Sequence, residues 1–221
     1  MQDFLTVTGM VLKTIPVGEY DRHVCILTRE CGKITAYARG ARRQNHRLLA
    51  AANPFCFGEF KLYASRNSYN LSEAAISYYF EELRMDVEGA CYGMYFLEIA
   101  DYYTRENNDE REMLRLLFQS LRALCKETLP RRLVRYIFEQ KAMVVNGEFP
   151  GMPADGGVYL EATEYTVGYV TSIPIEKLYT FVLTEEVLEE YASIIDGCRR
   201  LYIDRHFKSL EVLKELEKSE L

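Results

Sequence analysis

The sequence predicts an α+β chain: a five-stranded N-terminal barrel over residues 1–80, then a helical domain over residues 81–221 with a small irregular or β insertion. Two observations carry this. Apolar residues alternate in short runs broken by turn residues up to about residue 80, and from about Glu81 they recur every three or four positions. The charge divides at the same place. Residues 1–80 hold ten Lys/Arg against six Asp/Glu, whereas residues 81–221 hold seventeen against twenty-seven. The net charge of −6 therefore averages a front at +4 and a body at −10, a division expected of separate roles.

Taken in order, Phe4 to Ile15 alternates loosely and stops at Pro16-Val17-Gly18-Glu19-Tyr20-Asp21, which is turn chemistry. Arg22 to Arg29 is apolar and β-branched, and Glu30-Cys31-Gly32-Lys33 joins it to the next strand as a hairpin. That third strand alternates Ile34, Ala36 and Ala38 with Lys33, Thr35, Tyr37 and Arg39. Leu48 to Ala52 fits a single helical turn. Phe55 to Ala64 and Tyr69 to Ile76 are strands about a turn at Ser65-Arg66-Asn67-Ser68. Gly58 inside the fourth strand fits the bulge or bend that a small closed barrel requires. Five short antiparallel strands, with a briefly helical link between the third and fourth, match the OB-fold; an SH3-like barrel is the nearest competitor.

In the second domain a three-helix bundle is expected over residues 83–146. Its first helix runs through Tyr103 and its second from Glu110 to Cys125 behind the capping residues Asn107-Asn108-Asp109. Its third starts at Thr128 and Pro130, ends at Val145 and is closed by Asn146-Gly147. Residues 147–173 read as an irregular segment in which Val158-Tyr159-Leu160 and Tyr165 to Val170 form a small hairpin. C-terminal helices fill residues 174–218: a short one from Ile175 to Tyr179, one capped by Thr184 and ending near Asp196-Gly197, and one from Arg205 to Lys218.

Several function classes are excluded. No apolar run reaches the ~18 residues of a membrane span, and Met1-Gln2-Asp3-Phe4 lacks the cationic start of a signal peptide, so a cytoplasmic location is expected. Cys25, Cys31, Cys56, Cys91, Cys125 and Cys198 contain no C-x-x-C pair and read as buried small hydrophobes. His23, His46 and His206 stand in no metal-binding spacing, and neither a phosphate-binding glycine loop nor a G-x-S-x-G elbow occurs. The pairs Glu185/Glu186 and Glu189/Glu190 read as a solvated helix face, and Asp101 as either a buried polar residue or surface. Nothing here can activate a nucleophile, so no enzyme, metal or cofactor is expected.

What remains is cations beside aromatics. The outward face of the third strand carries Tyr37 between Lys33 and Arg39, and feeds a loop holding Arg42, Arg43, His46 and Arg47. That pattern suits a polyanion whose bases can stack; the plainer reading is an edge strand with a solvated loop. Lys61, Tyr63, Arg66 and Tyr69 can join the group across the barrel. A second cluster, Arg131, Arg132 and Arg135, opposes the dipole at the start of the third long helix. It either meets an anion, such as an acidic partner peptide, or pairs with the many acids.

Five segments in register carry a resemblance: Gly9-Met10-Val11-Leu12, Gly18-Glu19-Tyr20-Asp21, Leu27 to Lys33, Ala38-Arg39-Gly40-Ala41-Arg42-Arg43, and Pro54 to Phe60. Their order resembles the bacterial recombination-repair mediator family RecO, strongly over residues 9–62 and thinly after residue 150. The resemblance implies an OB-fold, a helical C-terminal domain, binding of single- and double-stranded DNA, and annealing of complementary strands at the nucleoid. It also implies RecR, the acidic tail of single-strand-binding protein and RecF as partners. Many relatives carry four zinc cysteines after the third helix; Gly147 to Ser172 here has none, so structural zinc is not expected. The expected DNA contacts are Lys33, Tyr37, Arg39, Arg42, Arg43, Arg47, Lys61 and Arg66. The alternative from another class is a protein-interaction scaffold with only incidental DNA contact.

Overall fold

The computed structural model describes residues 4–65, 68–154 and 157–219. Strands β1 (Phe4–Val17), β2 (Asp21–Thr28), β3 (Gly32–Ala38), β4 (Phe57–Ser65) and β5 (Ser68–Tyr78) close into a barrel in the order β1-β2-β3-β5-β4, with β1 returning to β4. All neighbours are antiparallel except β3 and β5, which run parallel and pair only at Ala36–Tyr69 and Tyr37–Asn70. This is the five-stranded OB-fold barrel that the alternation predicts.

The alternating residues decide which way each strand faces. Val7, Val24, Ile26, Ile34, Ala36, Phe60, Leu62 and Leu71 fill the interior. Gly58 lies at a register shift between β4 and β5, where a Cβ would sit 2.2 Å from the Ala75 carbonyl oxygen. Only glycine permits that approach, so the expected bulge is present. The link between β3 and β4 contains the short helix α1 (Leu48–Ala51) and is tied to β2 by Arg22, whose guanidinium donates to the Ala52 carbonyl and the Asn53 side chain.

Eight helices lie among the described residues. The single helix expected up to Tyr103 is two, α2 (Glu81–Arg84) and α3 (Val87–Tyr103). Asp86 causes the break, because its carboxylate accepts the Gly89 N–H and restarts the helix. Next come α4 (Arg111–Leu124) and α5 (Arg131–Val145), close to the expected bounds. The hairpin expected within residues 158–170 is instead helix α6 (Glu161–Ser172). Its Thr and Val content argued for strands, but Thr163, Thr166, Val167 and Val170 fall on one face and are buried, and tertiary packing overrides propensity. The Thr166 and Thr171 hydroxyls donate back to carbonyls one turn earlier, whereas the buried Thr163 hydroxyl has no partner among the described residues.

A 3₁₀ turn (Ile175–Lys177) precedes α7 (Glu185–Tyr202) and α8 (Lys208–Ser219). Helix α7 runs past Gly197, and Thr184 makes no side-chain capping bond. Gly197 does not stop it because Cys198 and Arg199, just beyond, are buried. Cys25, Cys56 and Cys198 are buried as expected; Cys31, Cys91 and Cys125 are half-buried, and none of the six is in a disulfide.

Two compact units divide the chain, Met1–Met85 with Leu97–Leu114, and Asp86–Phe96 with Arg115–Leu221. In the first, Asp101 is buried, and its carboxylate accepts from Lys13 at 2.8 Å and Lys33 at 3.0 Å. Burial alone would raise this carboxyl, but the two ammoniums outweigh it and hold it below the ordinary 3.8. A depressed folded value means stabilisation that is full above the unfolded value and is lost as the pH falls through the folded one. Asp101→Asn is therefore expected to flatten the acid limb of the urea-unfolding profile below about pH 4. An acid limb as steep as that of the parent protein would contradict the clamp.

In the second unit α5 is the central helix, packed against α6 and α7 and stacked through Phe138 on Phe96 at 4.1 Å. The helices packed most closely on α5 are thus α6 and α7, which lie outside the three expected to form a bundle. Lys141 donates to the carbonyls of Val170, Thr171 and Ile173 and so caps the end of α6. Gln140 bridges the Val167 carbonyl and the Tyr191 hydroxyl.

Candidate nucleic-acid interface

The outward residues of the barrel strands fall into one transverse row. Register pairs His23 with Tyr37, Tyr37 with Asn70, Asn70 with Tyr63, and Tyr63 with Phe4, across β2, β3, β5, β4 and β1. Rings meet edge to face at both ends, His23 on Tyr37 at 5.2 Å and Phe4 on Tyr63 at 6.3 Å. Along this row lie two clefts of about 730 and 370 Å³ that share Tyr37, Arg39 and Asn70, forming one open groove.

The basic turn rises beside the groove and is held by a residue the sequence marked only as turn chemistry. Asp21 accepts the Gly40 N–H at 2.7 Å and the Tyr37 hydroxyl at 2.7 Å. Those two bonds, with Arg43 and Arg39 nearby, hold its carboxyl below the ordinary value, while the bond to Asp21 pushes the Tyr37 phenol up. Arg42 is tied to the preceding loop through its N–H to Tyr20 and its guanidinium to Gly18, and Arg43 lies 4.7 Å above the Tyr20 ring. The turn and the Arg42 and Arg43 side chains are thus held, and Arg39, Arg42, Arg43 and Arg47 all stay exposed.

The other expected contacts differ in availability. Arg47 at 3.6 Å and Lys61 at 3.9 Å share Glu73 in exposed pairs that a phosphate can replace, since such pairs contribute about 0–1 kcal/mol. Lys61 also sits 4.8 Å over the Phe4 ring. Lys33 lines the groove, but its ammonium is bonded to the Asp101 carboxylate and carbonyl. Arg66 lies outside the described residues. Tyr63 and Tyr69 line the groove, so the aromatics expected from across the barrel do converge with Tyr37.

The second cluster is not one surface. Arg131 pairs with Asp86 and Glu88, and Arg132 with Glu189 and Glu185. Arg135 is interior, its side chain 2% exposed between Glu139 and Asp196, too deep to meet an outside group. Of the two readings, pairing with acids describes all three in the isolated chain. Sequence reasoning missed Asp21 and Asn70, whose roles depend on cross-strand register. Among the described residues no group of three or more His, Cys, Asp or Glu is placed to hold a metal ion, and no helix is long and apolar enough to cross a membrane.

Comparison with known proteins matches two family models, recombination protein O N terminal over residues 1–80 and recombination protein O C terminal over residues 84–152. The DNA repair protein RecO of Acetivibrio thermocellus is 24% identical over 98% of both chains. That of Clostridium perfringens strain 13 is 26% identical over 93% of this chain and 96% of its own. That of Bacillus pumilus is 35% identical over 64% of this chain and 55% of its own.

Proposed function

The chain belongs to the RecO family of DNA repair proteins, and from that premise we propose that it is a non-enzymatic, DNA-binding recombination mediator that anneals complementary strands. One observation carries the proposal: Arg39 and Arg47 line an open groove floored by aromatic residues, and the pinned turn between them carries the exposed Arg42 and Arg43. Phosphates would lie along Arg39, Arg42, Arg43 and Arg47, and unpaired bases along the Tyr37–Tyr63 row. Screening confines the acidic body's field to about 10 Å at cellular salt, so the local patch outweighs the net charge. Annealing needs two strands neutralised on one surface, and a cluster of exposed guanidiniums on a pinned turn provides that without chemistry.

In this reading residues 1–80 are the nucleic-acid-binding domain and residues 81–221 carry partner contacts at the nucleoid. RecR, RecF and the acidic tail of single-strand-binding protein enter as partners from the family, not from a surface identified on this chain. Arg132, about a third exposed, is best placed of its cluster to exchange Glu185 and Glu189 for an acidic peptide. With four phosphates engaged, single-strand affinity is expected to fall roughly 50-fold between 50 and 200 mM salt in a fluorescence-anisotropy titration. Salt-insensitive binding would rule out the proposed electrostatic contact.

A further inference from the structure

Among the described residues of the first unit, five polar or charged ones are buried: Thr28, Asn70, Asp101, Thr104 and Glu110. Four have partners. The Thr28 hydroxyl donates to the Gly32 carbonyl, Asp101 accepts from two lysines, the Thr104 hydroxyl donates to the Ala100 carbonyl, and Glu110 accepts the Arg105 N–H. Asn70 alone among them is without one: it is 7% exposed, and no described residue hydrogen-bonds its side-chain amide. Neither amide atom is sealed from solvent, so the amide is unpaired yet open to the clefts, an arrangement that calls for a reason.

Its surroundings supply one. Asn70 lines both clefts and stands in register between Tyr37 and Tyr63, one strand to either side. All three face outward, since their strand neighbours Ala36, Leu62 and Leu71 belong to the core. Two strand spacings put the two tyrosine backbones roughly 9–10 Å apart. A flat ring standing above Asn70 would then lie about 5 Å from each flanking ring, within the distance at which aromatic rings stack. The amide carries an acceptor and donors side by side, the complement of a nucleobase edge. Arg39 and Arg47 border the same space, placed for the phosphates on either side.

We infer that the groove seats one unpaired nucleobase above Asn70, between Tyr37 and Tyr63, and hydrogen-bonds its edge through the Asn70 amide. The inference deepens the single-strand reading above and rests on it. It makes the groove a single-strand site by geometry, because a paired base is stacked inside its duplex and has spent its pairing edge. It also separates two contributions to binding, a salt-dependent one at the arginine turn and a base-dependent one at Asn70.

The test compares an oligothymidylate with a strand of equal length whose central positions are abasic, using the full chain. The intact protein is expected to prefer the base-bearing strand by about tenfold, and Asn70→Ala to bring that ratio to about two. Tyr63→Leu, on the open side of the barrel, should lower the same ratio and serves if Asn70→Ala melts early. Equal binding of both strands by the intact protein, or an unchanged ratio in a folded Asn70→Ala or Tyr63→Leu variant, overturns the seat while leaving the arginine turn standing. Failure to bind either strand overturns the single-strand reading and the seat together.

Discussion

Reversing Arg42 and Arg43 together, as Arg42→Glu with Arg43→Glu, is expected to weaken single-stranded DNA binding about 25-fold at 0.1 M salt. Each phosphate contact on a single strand contributes about 0.7 to the slope of log affinity against log salt, so losing two lowers the slope by about 1.4. The fold should survive. Both side chains are exposed, and what they give up is one bond to the Gly18 carbonyl and one contact over the Tyr20 ring. A matched control reverses Arg122 and Arg200, two exposed arginines of the helical unit, and changes net charge by the same amount. If net charge governed binding, the two double variants would behave alike. If the turn governs it, the control stays within about threefold of the parent, because screened charges outside the contact contribute little.

The second large effect is on stability. Arg135→Ala is expected to destabilise the protein by about 3–5 kcal/mol in urea unfolding, because it leaves the buried Glu139 without the cation that hydrogen-bonds it. Glu139 is fully buried, and its Oε1 accepts both the Arg135 guanidinium at 2.8 Å and the Tyr95 hydroxyl at 2.7 Å. Its other oxygen has no hydrogen-bond partner, and Arg199 pairs with it only at 3.8 Å, so the hydrogen bond from Arg135 is not replaced. Arg132→Ala, three positions away on the same helix, breaks surface pairs and should cost no more than about 1 kcal/mol. Equal costs for the two variants would contradict the buried network.

The contrast between those neighbours shows where sequence reading stops. Arg131, Arg132 and Arg135 look alike in sequence, and what separates them is partners 43 to 61 positions distant. Lys33 was readable as an outward cation of the third strand, but not its capture by Asp101, 68 residues on. The barrel was legible because strand alternation is local, and so was its bulge, because Gly58 stands out within an apolar run. Helix α6 was not, since its threonines and valines prefer strands until α5 and α7 give them a face to bury. Helix α7 outran its apparent stop for the same reason: Gly197 signals an end, and burial of Cys198 and Arg199 keeps the helix going. In the groove, the arginines and Tyr37 could be named from their spacing. Asp21 and Asn70 could not, because each acts on residues of another strand.

The central claim is that the pinned arginine turn and its groove hold DNA strands for pairing. Fluorescence-quench annealing of complementary oligonucleotides tests it most directly, with the intact chain beside the Arg42→Glu, Arg43→Glu variant. The intact chain is expected to accelerate annealing well above the spontaneous rate, and the variant to lose most of that acceleration at equal concentration. Annealing no faster than the spontaneous rate, or a variant as fast as the parent, would contradict it.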